Sequence, residues 1–212
     1  MPATVTTFTD VVTTEEQLRE VLGKASSGAA NKAIDCIDHY YAAFIAQSPL
    51  VLIGSSDAEG RQDVSPKGDP PGFVLVLDEH TLAIPDRPGN RRADTFLNVL
   101  QNPNVALFFL VPGSRETLRV QGRASIVRDE GLRERMTING KAPDFALVVE
   151  VREAFMHCAK CMVRSSLWKP ETWPNPDDIV DIGAALVEQK RLTITREQLS
   201  EALEKDVRER LY

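Results

Sequence analysis

Three arginines lie in a short turn that joins an apolar run to a helical pattern. Arg87, Arg91 and Arg92 follow the apolar residues 81–84. The start of a helix exposes backbone N–H groups and the positive end of the helix dipole, and guanidinium groups bind phosphate through paired hydrogen bonds. The turn therefore has the chemistry of a phosphate site. The same residues also fit a solvated basic turn, which is common on protein surfaces.

A lysine lies in a second motif upstream of the arginines, where residues 63–72 read Asp-Val-Ser-Pro-Lys-Gly-Asp-Pro-Pro-Gly. A ligand that carries or develops negative charge requires hydrogen-bond donors, and charged donors bind it most strongly. Lys67 and the N–H groups of a strand can supply such donors. Neither motif requires the protein itself to provide a nucleophile or a base, so the catalytic residues stay unassigned.

The composition narrows the classes of function. The chain has 212 residues, 42% of them hydrophobic and 26% charged, with a formal net charge of −6. Acidic proteins are poor general binders of nucleic acids and anionic membranes, so we expect neither partner. No apolar run approaches the roughly 18 residues of a membrane span, and no secretory signal is visible at the N-terminus. We expect a cytoplasmic protein.

The three cysteines offer little metal chemistry. Cys158 and Cys161 form a CxxC motif after His157, and Cys36 lies far away in the sequence. A structural zinc site needs four ligands, and the remaining candidates form no second paired motif. A thioredoxin-like redox pair would need a fold context that is absent here. We therefore predict no metal site.

Helical patterns flank and interrupt a β-rich centre. Capping-box spacing predicts helices over residues 14–23 and from Thr195 to about Arg210. Apolar periodicity predicts further helices over 31–47, after a linker at 26–31, and over 91–100. We divide the chain into a helical arm (1–47), a central domain (48–170) and an extension with a terminal helix (171–212).

Short apolar and alternating runs in the central domain predict strands joined by tight turns. Gly122 interrupts one alternating pattern, which indicates a bulge or a close backbone approach. Short connections with one inserted helix favour an antiparallel sheet closed into a barrel, and no βαβ pattern is present. The predicted strands cover residues 50–54, 64–67, 73–77, 81–84, 105–111, 117–127 and 145–151.

The ordered set of motifs resembles the pyridoxamine 5′-phosphate oxidase-like, FMN-binding split-barrel superfamily, and within it a bacterial branch of FMN-dependent oxidoreductases. The motifs are residues 65–72, residues 84–92, Asn102-Pro103 before a strand, and residues 116–124. The resemblance implies a mainly β (α+β) fold with a six-stranded antiparallel split β-barrel, N-terminal helices, one inserted helix and a helical C-terminal tail. It also implies a homodimer with FMN at the subunit interface.

The resemblance assigns a cofactor-binding set. It places Val64, Ser65 and Lys67 along the isoalloxazine ring and Thr117 near the flavin. Asn90, Arg91 and Arg92 match the phosphate-binding run, and Arg87 belongs to the same basic turn. The remaining members, near the ribityl chain, are Pro85 and Asp86.

The substrate side is less defined. The resemblance suggests that Lys160, Arg164 and Trp168 line the substrate side of the flavin from the partner subunit, while the same residues also fit a solvated surface. An Arg-x-His pattern that binds substrate in the true oxidase is absent near the end of this sequence. Pyridoxamine phosphate is therefore a doubtful substrate, and the substrate stays unidentified.

The sequence thus predicts an FMN-dependent oxidoreductase that transfers hydride through flavin N5, with NAD(P)H as a candidate electron donor. Two alternatives stay open. One is a relative that uses haem or a deazaflavin on the same barrel, because a fold does not fix a function. The other is a flavin-binding or redox-sensing protein without turnover.

Overall fold

The computed structural model describes residues 8–212, which form two compact units divided between Ala33 and Ile34. The first unit contains α1 (Glu15–Leu22) and α2 (Ser27–Ala30). The predicted capping box is present at the start of α1, and Gly23 ends that helix with a φ of 70°. The stretch expected to be a linker instead contains α2.

The next helix begins later than the sequence predicts. α3 spans His39–Gln47, whereas the periodicity indicated a helix from Asn31. The side chain of Asp38 caps α3. Ahead of this cap, Ile34 exchanges two backbone hydrogen bonds with Ala154, at 3.0 and 2.7 Å. Pairing with a distant strand therefore replaces the first turns of the predicted helix.

Seven strands form one antiparallel sheet in the order β2-β1-β5-β6-β7-β4-β3. All seven predicted strand segments are present, and the mixed α+β, antiparallel character is confirmed. Among residues 8–212 no ladder joins the edge strands β2 and β3, so the sheet is not closed by hydrogen bonds and a six-stranded barrel is not confirmed. The strands are β1 (Leu50–Ser56), β2 (Gln62–Gly68), β3 (Leu75–Asp78), β4 (Thr81–Pro85), β5 (Asn104–Leu110), β6 (Thr117–Val127) and β7 (Ala146–His157).

The main core lies against one face of this sheet, and Ala83, Met136 and Ala146 form a separate smaller cluster. Alternation in β1, β5 and β6 buries every second residue, including Val51, Phe109 and Val120. Each fully buried aliphatic or aromatic side chain contributes about 1.5–3 kcal/mol. The inserted helix α4 (Asp94–Gln101) packs on β1 and β2. The packed sheet therefore fixes the start of α4 beside edge strand β2.

Gly122 marks the predicted irregularity in β6. The register between β6 and β7 shifts between Gln121 and Gly122. A Cβ atom at Gly122 would overlap the carbonyl oxygen of Glu150 and the side chain of Val149. The close backbone approach inferred from the sequence is confirmed.

Four further helices follow α4, together with two short 3-10 turns at Pro170–Thr172 and Pro176–Asp178. The capping box at Thr195 is present at the start of the last helix, as predicted. Within residues 8–212, no helix combines the length and the apolar character needed to cross a membrane. The four helices are α5 (Glu130–Arg135), α6 (Lys160–Ser165), α7 (Ile182–Lys190) and α8 (Arg196–Glu209).

Candidate functional site

A cavity of about 840 Å³ opens where β2, the loop after β4, the start of α4 and the loop before β7 meet. This volume suits a ligand of cofactor size. Six residues of the predicted cofactor set line the cavity: Ser65, Lys67, Asp86, Arg87, Asn90 and Arg91. Thr95, Phe96, Lys141 and Tyr212 line it as well, and the sequence analysis selected none of these four.

The start of α4 faces the cavity without a side-chain cap. The N-cap residue Ala93 adopts a left-handed conformation with φ 57°, and no side chain hydrogen-bonds to the cap. Arg91 is also left-handed, with φ 59°, and the Oδ1 atom of Asn90 accepts a hydrogen bond from the amide of Arg92 at 3.0 Å. Left-handed backbone at residues other than glycine is costly and is concentrated at functional sites. The turn therefore leaves the first N–H groups of α4 available to a ligand.

Thr95 adds a donor at this helix start. The residue is 4% exposed and lines the cavity. Its Oγ1 atom is buried and has no hydrogen-bond partner among residues 8–212. An unsatisfied buried hydroxyl costs about 1–3 kcal/mol, which a ligand oxygen at this position would offset.

The three arginines of the turn have different environments. Arg87 is largely buried, and its Nε atom donates to Asp69 at 2.6 Å. Arg92 is exposed and does not line the cavity, and its Nε atom lies 2.7 Å from Asp94, which does line it. Arg91 lines the cavity and makes no ion pair within the described part of the chain. Arg91 is therefore the guanidinium that is free to bind a ligand.

Lys67 and Asp86 form a second polar group in the cavity wall. Alternation in β2 turns Ser65 and Lys67 to the cavity side. The Nζ atom of Lys67 lies 3.8 Å from Oδ1 of Asp86. Burial raises the pKa of Asp86 above its ordinary value, and Asp144 adds to this effect while Lys67 opposes it. The cavity thus holds a cation beside a carboxyl group that takes up a proton more readily than usual.

Tyr212 closes part of the cavity wall. Its hydroxyl donates to Oδ1 of Asp69 at 2.6 Å, and Lys141 Nζ donates to its backbone oxygen at 2.8 Å. The hydrogen bond to Asp69 is the main reason that the pKa of Tyr212 is raised. A residue of the predicted extension therefore reaches the wall formed by the central domain.

The sequence profile of the pyridoxamine 5′-phosphate oxidase family matches residues 37–158. This match covers more than half of the chain, including the two motifs that line the cavity. The chain belongs to this family. The profile match confirms the family resemblance inferred from residues 65–72 and 84–92. No protein in the curated set matches the chain.

Solved structures of similar fold include HupZ from Group A Streptococcus, at 18% identity and a TM-score of 0.46 over 57% of this chain and 93% of that chain. A candidate pyridoxamine 5′-phosphate oxidase from Lactobacillus delbrueckii matches at 21% identity and a TM-score of 0.46. The match covers 57% of this chain and 95% of that chain. HutZ, described as the heme storage protein from Vibrio cholerae, matches at 17% identity and a TM-score of 0.39. The match covers 57% of this chain and 94% of that chain.

Some of the residues assigned through the family resemblance lie outside the large cavity. Val64 points away from it and is 63% exposed. Pro85 lines a smaller adjoining cavity of about 370 Å³, which shares Ser65 and Lys67 with the larger one. Arg92 is held by Asp94, as described above. The structure therefore divides the predicted set between the cavity and its surroundings.

Thr117 and the three predicted substrate residues lie elsewhere in the chain. Thr117 starts β6 opposite His157 and is buried, and its hydroxyl has no partner among the described residues. Lys160 and Arg164 are exposed on α6. Trp168 donates from Nε1 to the carbonyl of Ser114 at 2.5 Å. None of these four lines the large cavity.

The CxxC motif keeps its thiols free. Cys158 is exposed and Cys161 is partly buried. The neighbouring His157 has a buried Nδ1 atom without a partner in the described part of the chain. Within residues 8–212, no three His, Cys, Asp or Glu side chains converge as metal ligands would.

Proposed function

We propose that this protein binds FMN in the large cavity and is an oxidoreductase that acts on a small molecule. The observation that carries the proposal is the uncapped start of α4, where the buried hydroxyl of Thr95 has no partner within the described residues and Arg91 is unpaired there. A phosphate group at this position would accept hydrogen bonds from backbone N–H groups, a hydroxyl and a guanidinium. Membership of the family supports the choice of a phosphorylated cofactor.

The phosphate would lie at residues 90–95. A helix start favours a dianion through its free N–H groups and its dipole. Arg91 adds charge-assisted hydrogen bonds, each of about 1.5–3 kcal/mol. Thr95 supplies one further donor that is already desolvated. We call residues 90–95 the phosphate cradle.

The isoalloxazine ring would lie along β2. Among residues 8–212 this strand pairs with β1 alone, so its outward backbone groups are available to a ligand. Ser65 and Lys67 face the cavity from β2, and Lys67 would donate to the ring where negative charge develops. When bound, FMN supplies hydride transfer through N5 of its ring.

Asp86 would contact the ligand close to Lys67. Its raised pKa and its position beside Lys67 allow it to exchange a proton with a polar group of the ligand. The ribityl chain carries hydroxyl groups that a carboxylate binds well. Asp86 is thus proposed as a ligand-binding residue, with no assigned catalytic step.

We further propose a homodimer with FMN between the subunits. We also propose that the strands of each subunit form the six-stranded split barrel implied by the resemblance. Val64 on β2 and Leu97 and Leu100 on α4 are exposed apolar residues on elements that pack together beside the cavity. A second copy would cover them. It would also bring Thr117 and the α6 region, with Lys160, Arg164 and Trp168, towards the flavin of its partner.

The remaining parts of the proposal follow from the sequence alone. They are a division into domains after residues 47 and 170, a cytoplasmic location, NAD(P)H as a candidate electron donor, and no nucleic-acid or membrane partner.

The identity of the cofactor is tested by mass spectrometry of the chromophore released from the purified protein by denaturation. FMN supports the proposal, while haem or a deazaflavin would contradict it. Bleaching of bound FMN by NADH or NADPH supports a reductase, and no bleaching by either contradicts NAD(P)H as its electron donor.

A further inference from the structure

Asp69 connects two parts of the cavity wall that are far apart in the sequence. Its side chain is 1% exposed. One carboxylate oxygen accepts from Nε of Arg87 at 2.6 Å, and the other accepts from the hydroxyl of Tyr212 at 2.6 Å. Buried carboxylates are stable only when they are well paired. Asp69 therefore holds Arg87 and Tyr212 in a single arrangement.

Tyr212 is fixed at two further points. Lys141, in the loop before β7, donates from Nζ to the backbone oxygen of Tyr212 at 2.8 Å. The guanidinium carbon of Arg87 lies 6.0 Å from the centre of the Tyr212 ring, which is within reach of a cation–π contact. Lys141, Arg87 and Tyr212 all line the same cavity. The ring is thus held at the wall of the cavity and is not a freely moving surface side chain.

The contacts of Tyr212 place it on the side of the cavity that holds Lys67. Asp69 follows the end of β2 directly, and Arg87 precedes the cradle. Asp69 also lies close in the sequence to Lys67, and Arg87 directly follows Asp86, whose Oδ1 atom lies 3.8 Å from Nζ of Lys67. The phenol ring therefore borders the part of the cavity that also contains Lys67.

We propose that Tyr212 is a ligand-binding residue that closes the cavity and contacts the part of the ligand that does not carry phosphate. This inference rests on the proposed function, since the ligand is taken to be FMN. An aromatic ring offers a flat apolar surface to a flavin or to the substrate beside it. Through Asp69, the docked ring also fixes Arg87 and so shapes the loop after β4.

Docking of Tyr212 and occupation of the cavity are then coupled. A ligand that contacts the ring stabilises the docked state, and by thermodynamic linkage the docked ring stabilises the ligand to the same degree. Removal of the Tyr212 ring should weaken the binding of every ligand that has an isoalloxazine ring, whether or not that ligand carries a phosphate. This behaviour differs from that expected of the phosphate cradle, whose loss affects only the phosphorylated ligand.

The first test uses the protein without any ligand. Lys67 is acylated with an N-hydroxysuccinimide ester, and its rate is measured by peptide mass spectrometry against Lys24 as an internal reference. Tyr212→Ala should accelerate acylation of Lys67 several-fold because the cavity wall is opened. Tyr40→Ala is the matched control, since Tyr40 is 70% exposed on α3 and does not line the cavity. An unchanged rate in Tyr212→Ala would overturn the closing role.

The second test measures dissociation constants for FMN and riboflavin by fluorescence quenching. Tyr212→Ala should raise both constants by the same factor, about three- to tenfold, while Tyr40→Ala should leave both unchanged. A loss confined to FMN, or no loss for either ligand, would overturn the ligand contact. If the wild-type protein binds neither flavin, the proposed function fails and so does the flavin contact. The acylation rate of Lys67 then decides separately whether Tyr212 closes the cavity.

Discussion

The Thr95 hydroxyl gives the phosphate proposal a signature in the free protein. Thr95→Val should raise the free energy of unfolding by about 1 kcal/mol, because a buried hydroxyl without a partner among the described residues is removed. The same change should weaken FMN binding by about tenfold or more, because one donor to the phosphate is lost. Urea unfolding and an FMN titration measure the two effects.

Thr95→Ser is the matched control for this prediction. It keeps the hydroxyl and should retain FMN affinity, while losing some stability with the buried methyl group. A Thr95→Val protein that is both less stable and unchanged in FMN affinity would show that the hydroxyl has only a packing role.

Asp86 predicts a particular dependence of stability on pH. Burial raises the pKa of Asp86 from its ordinary value of 3.8. In the interval above 3.8, the folded protein holds a proton that the unfolded chain has released, so the free energy of unfolding falls as pH rises. Asp86→Asn removes this charge and should stabilise the protein at pH 7, with a gain that shrinks as pH falls towards 4.

Urea unfolding at several pH values measures this gain. Glu204→Gln on α8 is the control, because this side chain is exposed and should show no such trend. A gain from Asp86→Asn that is the same at pH 4 and pH 7 would contradict the proposed burial effect.

At the level of residues, sequence reasoning found the part of the site that lies in two continuous motifs. Lys67 and Asn90–Arg91 were accessible because strand and turn patterns place them at element ends. Thr95 was missed because the periodicity predicted a helix from residue 91, whereas α4 begins at Asp94 and Thr95 is its second residue. Tyr212 had no local signal, because its place depends on a contact with Asp69, far away in the sequence.

At the scale of elements, the bulge in β6 permits a direct test of packing. Gly122→Ala should lower the free energy of unfolding by about 1–3 kcal/mol, because the new Cβ meets the backbone of Glu150, which cannot move without breaking the ladder. Gly89→Ala is the matched control, since nothing lies within 4 Å of a Cβ at that position. Equal stability of the two variants would contradict the close approach.

Sequence patterns predicted the strands better than the helix starts. Alternation and capping are local, so the β segments and the caps at Thr14 and Thr195 were accessible. The start of α3 was wrong because Ile34 pairs with Ala154, and periodicity carries no information on such distant partners. The number of strands can also be predicted from local patterns. Closure of a barrel cannot, because it depends on which edge strands pair.

At the scale of the whole molecule, we predict a homodimer. Light scattering at micromolar concentration should give about twice the chain mass of 23.5 kDa. Replacement of an exposed apolar residue on α4, Leu100→Glu, should shift the protein towards monomer, because Leu100 is 74% exposed and a buried charge at an interface is costly. A wild-type monomer that still binds flavin would contradict the shared site.

Leu22→Glu provides the control for that variant. Leu22 is also exposed, at 68%, but belongs to α1 in the first unit. It should leave the mass unchanged. Dissociation by both variants would show that the effect is not specific to α4.

The central claim is that the turn at residues 90–95 binds the phosphate of FMN, and the contrast between FMN and riboflavin in two arginine variants tests it most directly. Arg91→Ala should raise the dissociation constant of FMN by about 10- to 150-fold, because one charge-assisted interaction of 1.5–3 kcal/mol is lost. Riboflavin, which lacks the phosphate, should bind the wild-type protein and Arg91→Ala with equal affinity. Arg152→Ala on β7 should change the affinity for neither ligand appreciably, since Arg152 is paired with Glu150 and does not line the cavity. Equal loss of FMN and riboflavin affinity in Arg91→Ala, or no loss of either, would contradict the account.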